Sequence, residues 1–383
     1  MIDPQNTSPA PVPETARPDE AVGGVLPPAV PRGPRISRVW WFAGPALLVA
    51  IAVIATLLIR PVPYIVLMPG DATEVQPLIT VKAKDGGKRP FVDEGRHDLL
   101  FLTVSVRFPR GLEALYRTLD DRNQVAPSKP YLGTQTSKES RTFNLSLMTD
   151  SKDRAAKVAL ERVGYHVKVT STGAVIVDLD PSYPAAPLLR PGDTVVEADG
   201  KPVETADDLA DAIKAHRPGE RIKLVLERLG VTGKISVDAP LVENPQKAGV
   251  AQLGVSLRDR PRYDFPVDVT IDSGDVGGPS AGLAFTLALI DVLSPGDLTG
   301  GKRVAVTGTI DLDGSVGPVG GVRQKTEAAI DKGAVLFLVP SDEYHDAVAA
   351  ARGRLKVEKV DNLDQALAAL ERAGGEPVEK PAG

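Results

Sequence analysis

A single serine, Ser280, stands in the glycine-rich stretch GDVGGPSAG at residues 274–282. The residues that follow, LAFTLALIDVLS, are almost entirely apolar and predict one buried helix. Glycines let a backbone approach another group closely, and a helix N-terminus carries unpaired N–H groups with partial positive charge. Two interpretations are open: a tight turn with a serine cap, or a nucleophile beside an oxyanion hole.

A serine hydroxyl is a weak nucleophile unless a base stands beside it. Neither His216 nor His345 belongs to a motif that suits a Ser-His-Asp triad. A lysine also serves as a base when burial keeps its amine neutral, although most lysines on helices are simply solvated. The stretch VAVTGTIDLDGSVGPVGGVRQKTEAAIDKG (304–333) predicts a strand, a turn, a glycine-rich segment and a helix, with Lys325 near the helix start. Lys325 is therefore the candidate base.

Taken together, the two stretches resemble the proteolytic domain of the Lon-type serine peptidases (family S16). GPSAG (278–282) is similar to the nucleophile motif of that family. TG-x-I-x-L-x-G-x-V-x-P-V-GGV-x-x-K (307–325) is similar to the segment that carries the family's lysine. The resemblance covers a whole catalytic domain, which we assign to residues 243–373.

The resemblance implies a Ser-Lys dyad in which Ser280 is the nucleophile and Lys325 the general base. It also implies that Thr307 helps to orient the lysine. Backbone groups around Gly278, Pro279 and Ser280, with the helix start, are expected to form the oxyanion hole.

Two features differ from the energy-dependent members of the family. Many Lon proteases carry an acidic residue three positions before the serine, where this chain has Gly277, and Asp275 is offset. The string GDLTGGKR (296–303) resembles a Walker A loop, but Arg303 replaces the Ser or Thr that binds Mg²⁺. We therefore predict an ATP-independent peptidase with no nucleotide site.

Composition excludes several other classes of function. The 383 residues carry a formal net charge of −5, which argues against a nucleic-acid partner. Cysteine is absent, so the chain has no disulfides, thiolate nucleophiles or Cys-based zinc sites. The four histidines are scattered singly, so we predict no metal site and no cofactor.

The N-terminal part predicts a membrane anchor. Residues 1–36 are rich in Pro, Ala, Gly and charge and predict disorder. WWFAGPALLVAIAVIATLLI (40–59) is uncharged and long enough to cross a bilayer, so we predict a transmembrane helix at 37–60. A cleaved signal peptide is the alternative, but it has a shorter apolar core and an Ala-x-Ala site, which this stretch lacks.

The flanking charges predict the orientation of this helix. Arg32, Arg35 and Arg38 precede the span, and only Arg60 follows it before Lys82. The positive-inside rule then places the N-terminus in the cytoplasm and the rest of the chain outside the cell membrane. Such an architecture resembles the ATP-independent, PDZ-containing Lon-like proteases of Gram-positive bacteria, and the composition suits an actinobacterial source.

Residues 61–150 predict a mixed α/β juxtamembrane region without a chemical motif. YIVLMPGDATEVQPLITV and HDLLFLTVSV look like strands, with a turn expected at Pro69-Gly70. GLEALYRTLDD (111–121) predicts a short helix, and residues 121–140 predict a polar loop.

Residues 151–241 resemble a PDZ domain of the kind attached to bacterial envelope proteases. The resemblance rests on the stretch GAVIV, on PAAPLLRPGDTVVEADGKPV after it, and on a predicted helix and closing strand that follow. PDZ domains bind a peptide tail by adding it to a sheet edge. The resemblance implies a carboxylate-binding loop and a receiving strand, formed by Ser171, Thr172, Gly173, Ala174, Val175 and Ile176. The alternative is a packed module whose groove is blocked.

The expected fold is therefore α/β (α+β), with a transmembrane helix, a juxtamembrane region, a PDZ-like domain, a Lon-type domain and a disordered tail at 374–383. The expected function is an anchored serine endopeptidase that cleaves unstructured or membrane-associated polypeptides, and a homo-oligomeric ring is implied by the resemblance. A PDZ-based scaffold with a silent catalytic fold is the alternative. A different Ser-Lys hydrolase, such as a signal peptidase, fits the motifs less well.

Overall fold

The computed structural model describes residues 38–60, 62–84, 90–93, 98–132 and 137–379. The chain divides into two compact units, Met1–Thr56 and Leu57–Gly383. The first helix, α1 (Arg38–Ile59), contains Pro45. Within the described ranges, no helix is both long and apolar enough to cross a membrane. The segment 1–36, predicted to be disordered, lies outside the described residues.

The region between α1 and residue 163 forms strands and helices that the sequence predicted only in part. In chain order they are β1 (Tyr64–Glu74), β2 (Ile79–Ala83), β3 (Leu99–Arg107), α2 (Gly111–Arg117), β4 (Gln124–Pro127), α3 (Lys129–Leu132) and α4 (Ser137–Arg162). The turn expected at Pro69-Gly70 is wrong, because β1 continues through it with a bulge between Pro69 and Ala72. A bulge absorbs the extra residue and lets the ladder resume. The loop expected at 121–140 contains β4 and α3.

A second sheet follows. The elements in this part of the chain are β5 (Lys168–Leu179), β6 (Thr194–Ala198), β7 (Lys201–Pro202), α5 (Ala206–Lys214), β8 (Arg221–Glu227), β9 (Lys234–Pro240), β10 (Val242–Asn244), β11 (Lys247–Gln252) and β12 (Val255–Asp264). Strands β10 and β11 form a two-stranded sheet of their own, and the other strands form the second sheet. The strand order is β12-β5-β6-β8-β9, with β7 on β6. Helix α5 begins with a capping box of Thr205 and Asp208 and buries Leu209 and Ile213 in the core of this sheet. We call this part the 168–264 module.

The main sheet is completed by the C-terminal third of the chain. The elements there are β13 (Val267–Ile271), α6 (Gly282–Leu293), β14 (Val304–Val306), β15 (Thr309–Ile310), β16 (Val316–Gly317), α7 (Val322–Asp331), β17 (Leu336–Val339), α8 (Tyr344–Ala351), β18 (Lys356–Lys359) and α9 (Leu363–Arg372). The strand order is β18-β17-β14-β3-β1-β4. The first four strands are parallel, and β1 is antiparallel to both of its neighbours.

Helices cover both faces of the main sheet. Alternate residues of β3 point to opposite faces, as the pleat of a strand requires. Leu99 and Phe101 pack in a core with α4, α6 and α9, whereas Leu100 and Leu102 pack in a core with α7 and α8. The result is a three-layer α/β/α arrangement, which buries strand residues on both sides.

The two sheets group the strands differently from the predicted domain boundaries. Strands β1, β3 and β4, from the region assigned to residues 61–150, belong to the main sheet, where β3 pairs with β14 of the C-terminal third. Helix α4 includes residues 151–162, yet Ala155 and Leu160 pack against α6 in the main core. Strand β12 lies beyond residue 243, yet it pairs with β5. The 168–264 module thus interrupts the main-sheet domain in sequence.

The described part of the predicted disordered tail is bound to the main-sheet domain. The Gly375 N–H donates to the Leu370 carbonyl oxygen, and the Glu376 N–H donates to that of Asp297 at 2.7 Å. Val378 packs against the main core. Residues 380–383 lie outside the described residues.

Candidate active site

The loop before α6 presents Ser280 half-buried at the start of a helix whose twelve residues are all buried. The helix prediction is confirmed. Gly278 has a φ of 94°, a conformation that favours glycine. A Cβ on Gly282 would lie 2.9 Å from the backbone nitrogen of Ile310. Glycine at this position therefore lets α6 begin in direct contact with β15.

Lys325 reaches Ser280 across 45 residues of sequence. It is the fourth residue of α7, which begins after Gly321 with a φ of 67°. Its Nζ lies 2.9 Å from Ser280 Oγ and 3.0 Å from Thr307 Oγ1. The Thr307 hydroxyl donates to the Ser280 carbonyl oxygen at 3.2 Å. The fold thus brings together the three side chains that the sequence singled out.

The Lys325 amine is almost completely buried, with 2% of the residue exposed. Burial lowers the pKa of Lys325 to about 8, while the negative charge of Glu343 acts in the opposite direction. Lys325 forms no ion pair with any other described residue. About a tenth of the amine is therefore neutral at pH 7 and able to accept a proton.

Glu343 is a part of the site that the sequence did not reveal. Its Oε1 accepts a hydrogen bond from the Val319 N–H at 3.2 Å, in the turn that leads to α7. Its Oε2 is buried and has no hydrogen-bond partner among the described residues. Burial raises the pKa of this carboxyl group. No local motif marks the residue, since only the packing of the α8 start against the turn brings it near Lys325.

The buried lysine predicts a pH dependence of peptide cleavage. If neutral Lys325 is the active form, kcat/KM rises about tenfold per pH unit up to a midpoint near the Lys325 pKa of about 8 and levels off above it. The measurement is a pH–rate profile on a short fluorogenic peptide, with stability checked across the same range.

A Glu343→Gln variant is the internal test of this prediction. Removing the carboxylate removes an interaction that favours the ammonium form, so the midpoint of the profile moves to lower pH. Two results contradict the assignment of this pH dependence to Lys325. One is a kcat/KM that does not change with pH near pH 8, and the other is a midpoint that moves to higher pH in the variant.

Fewer backbone donors are free for an oxyanion than the sequence suggested. The Gly278 N–H already donates to the Asn144 carbonyl oxygen of α4 at 2.8 Å, and Pro279 has no N–H. This corrects the expectation that the Gly278 N–H binds the oxyanion. The N–H groups of Ser280 and Ala281, at the N-terminus of α6, have no acceptor within the described chain.

Helix α4 and strand β3 form the wall of the site, a role that the sequence did not predict. The buried Ser151 hydroxyl donates to the Pro279 carbonyl oxygen at 3.0 Å and holds the loop before Ser280. A cleft of about 350 Å³ runs past Ser280 and is bordered by Met148 and Val104. Strand β3 pairs with β14 only over Leu99–Phe101, so the part of β3 along the cleft is paired on one edge alone.

Comparison with known families matches both parts of this architecture. Residues 250–372 match the Lon protease (S16) C-terminal proteolytic domain, and residues 130–239 match the PDZ domain. The chain carries a Lon-type serine peptidase domain and a PDZ domain. The serine and lysine described above both lie inside the segment that matches the Lon-type domain.

Two curated relatives and one solved structure are similar to parts of the chain. The chain is 32% identical over 167 residues to Lon protease 1 of Sorangium cellulosum, which is 43% of this chain and 20% of that protein. It is 30% identical over 198 residues to Lon protease of Heliobacterium modesticaldum, which is 49% of this chain and 24% of that protein. The chain thus spans about a quarter or less of the length of these relatives. A PDZ domain of an SdrC-like protein from Listeria monocytogenes is 25% identical, covering 24% of this chain and 92% of that one, with a TM-score of 0.21.

The acidic residue before Ser280 is exposed and ion-paired. Asp275 has an 88% exposed side chain and forms an ion pair with Arg141 at 3.2 Å. The His216 ring lies 2.7 Å from Asp199. Neither residue contacts the Ser280 hydroxyl.

The glycine-rich string at 296–303 is folded around a carboxylate. Asp297 Oδ1 accepts hydrogen bonds from the N–H groups of Thr299 and Gly300, and Oδ2 accepts one from that of Gly301. The backbone donors that a phosphate needs in such a loop are occupied by this side chain.

In the PDZ domain, the residues expected to receive a peptide do not have a free edge. Strand β5, which contains Ala174, Val175 and Ile176, is paired with β6 on one side and with β12 on the other. A peptide cannot add to it without displacing a strand, so this assignment is corrected. The end strand of the sheet is β12.

The expected carboxylate-binding loop is also occupied. The Ser171 hydroxyl and the Gly173 N–H both donate to the Glu204 carbonyl oxygen, at 2.6 and 2.8 Å. The Thr172 hydroxyl oxygen accepts a hydrogen bond from Arg260 at 3.0 Å. These groups hold the PDZ domain together and are not available to a ligand.

Proposed function

We propose that this protein is an ATP-independent serine endopeptidase in which Ser280 is the nucleophile and Lys325 the general base. The observation that carries the proposal is the 2.9 Å approach of a buried lysine amine to a serine oxygen at a helix N-terminus. A neutral amine at that distance accepts the serine proton as Oγ attacks a carbonyl carbon.

The remaining groups suit the rest of an acyl-transfer cycle. Thr307 holds the amine from its other side, which leaves its lone pair directed at Ser280. The free N–H groups of Ser280 and Ala281 stabilise the oxyanion of the tetrahedral intermediate. Protonated Lys325 then donates its proton to the leaving amine, and the neutral amine activates the water that hydrolyses the acyl-enzyme.

We infer that the substrate binds as an extended, unfolded segment. The open edge of β3 borders the cleft, and a peptide that pairs with this edge passes the Ser280 hydroxyl. A folded domain cannot offer an isolated strand to such an edge. Flexible or membrane-associated polypeptides are therefore the substrate class that we propose.

The PDZ domain is proposed to select substrate tails along β12 instead of β5. β12 ends the sheet and its outer edge has no strand partner among the described residues. The Ala206 N–H at the start of α5 donates to Asp259 of β12 at 2.7 Å, so the helix and the edge strand lie side by side. A groove between a helix and an edge strand is the geometry for peptide addition.

Anchoring and assembly are proposed on the sequence. The apolar stretch at 40–59 and the arginines before it support a single-pass anchor in the cell membrane, with a cytoplasmic N-terminus and an extracytoplasmic peptidase. The resemblance to Lon-type domains supports a homo-oligomeric ring.

Cleavage of a disordered protein without nucleotide tests the proposal. The full chain, purified in detergent, is incubated with β-casein in the absence of ATP and Mg²⁺, and the fragments are identified by mass spectrometry. We expect internal cleavages whose rate does not change when ATP is added. Intact casein after long incubation on the plateau predicted above pH 8 argues for the scaffold interpretation.

A further inference from the structure

An exposed apolar surface lies on the region between β1 and α3. Among the described residues after Arg60, every exposed aromatic side chain belongs to the segment before residue 132. The surface, which we call the apolar patch, consists of Tyr64, Val106, Phe108, Leu115, Tyr116, Leu119 and Tyr131. The Tyr116 and Leu119 side chains are the most open, at 71% and 80% exposed. Monomeric soluble proteins rarely expose so many large apolar side chains in one region of the surface unless that region binds a partner.

Pairing within the main sheet brings these residues together. Tyr64 is opposite Pro127 in the β1–β4 ladder, and Val66 is opposite Arg107 in the β1–β3 ladder. The Ser128 N–H donates to the Pro63 carbonyl oxygen at 3.0 Å, which ties the start of α3 to the start of β1. Helix α2 contacts both β1 and β4. The apolar patch thus surrounds the first residues of β1.

The apolar patch also coincides with the point where the chain leaves its apolar N-terminal helix. Helix α1 ends at Ile59 and β1 begins at Tyr64. Five residues of extended chain span at most about 18 Å. Whatever surrounds the end of α1 is therefore within reach of the apolar patch.

The chemistry of the apolar patch and its rim fits the surface of a lipid bilayer. Tyrosine places an apolar ring beside acyl chains and a hydroxyl among headgroups, and it is enriched at membrane interfaces. Arg107, Arg110 and Lys129 are exposed at the rim, and none has an ion-pair partner among the described residues. Basic side chains in this position attract anionic headgroups.

We propose that the apolar patch lies on the bilayer that holds α1 and binds the interface of anionic phospholipids. This inference rests on the membrane anchoring included in the proposed function. It gives the region between β1 and α4 a role, because contact with lipid holds the main-sheet domain close to the membrane. Substrate segments that emerge from the bilayer then meet the cleft without a long excursion into solvent.

Site-specific fluorescence in vesicles tests the apolar patch. The chain contains no cysteine, so a single Tyr116→Cys substitution can be labelled with a polarity-sensitive dye. Val348→Cys, at an exposed position on α8, is the matched control. The full chain is reconstituted in phosphatidylcholine–phosphatidylglycerol vesicles that contain a headgroup-quenching lipid. We expect quenching at position 116 to be at least about twofold stronger than at position 348, with a blue-shifted emission.

Three other outcomes overturn the proposal in distinguishable ways. If the protein does not float with the vesicles, both the membrane anchor and the contact of the apolar patch with lipid are wrong. If the protein floats but quenching is equal at both positions, the anchor is supported and only the contact of the apolar patch with lipid is wrong. A label at position 116 that is shielded from iodide, is not quenched by the lipid and becomes accessible on dilution identifies a second copy of the chain as the occupant.

Discussion

Replacing Ser280 by alanine is expected to reduce the rate of casein cleavage by about 10⁴-fold or more, since the acyl-enzyme cannot form without the nucleophile. The fold should be unchanged, because the side chain is only half-buried and the Ser280 backbone keeps its bonds to Thr307 and Gly308. Initial cleavage rates and the thermal unfolding midpoint of the purified variant are the two measurements.

Ser273→Ala is the matched control for this substitution. Ser273 lies in the same loop, and its buried hydroxyl has no hydrogen-bond partner within the described chain. Its replacement should leave the cleavage rate within about twofold of wild type. A fluorophosphonate or peptide boronate should label the wild type and Ser273→Ala, but not Ser280→Ala. Equal activity of Ser280→Ala and the wild type would falsify the dyad.

Replacing Lys325 should abolish activity, with opposite effects on stability for two substitutions. Within the described part of the chain, Lys325 has the only side-chain nitrogen near Ser280 that can accept a proton. Lys325→Met and Lys325→Arg both remove it, so each should lose about 10³-fold or more of kcat/KM. Methionine fills the buried site with an apolar chain and should fold at least as stably as wild type. Arginine is bulkier than lysine at that buried position and stays charged at every pH, so it should destabilise the fold by about 1–3 kcal/mol through overpacking.

The stability difference between wild type and Lys325→Met should depend on pH in a defined direction. The pKa of Lys325 is about 8 in the folded chain against 10.5 for an ordinary lysine. Below pH 8 the amine is protonated in both states, and the cost of burying its charge is fully present in the wild type. Between pH 8 and 10.5 the unfolded state binds more protons, so wild-type stability rises and the advantage of methionine shrinks. Chemical denaturation at pH 7 and pH 10 measures this change.

Lys332→Met controls for the loss of a positive charge near α7. Lys332 is exposed at the C-terminal end of the same helix. Both activity and stability should remain close to wild type, because removing a solvated amine from the surface changes the free energy of unfolding little. Inactivation by this control, or full activity of Lys325→Met, contradicts a direct role for the Lys325 amine.

Sequence reasoning found the candidate nucleophile and the candidate base because their signals are local. Glycines at fixed distances in sequence from Ser280 and Lys325 are needed for a left-handed turn or a close backbone contact. Such a pattern can be recognised from a few neighbouring residues. The apolar run after Ser280 likewise predicted α6, since a helix buried on all sides has no polar face. Thr307 was found in the same way, as part of the motif that ends at Lys325.

Whether the edge of a strand is free or paired could not be predicted from neighbouring residues in the sequence. The sequence of β5 has the features of a strand that receives a peptide, but β12 pairs along its outer edge from a position about 80 residues later. Pro69-Gly70 has the composition of a turn, yet the pairing of β1 with β3 carries the strand through it as a bulge. In both cases the competing interaction comes from a distant segment.

By itself, the sequence determined the identities of Ser280, Lys325 and Thr307 and the class of chemistry that they suit. Only the tertiary structure decided that Glu343 lies near Lys325 and that Ser151 holds the loop before Ser280. It also decided that β1, β3 and β4 belong to the main sheet. The physical reason is that backbone conformation is encoded by neighbouring residues, whereas burial, charge proximity and strand pairing depend on segments that meet only when the chain folds.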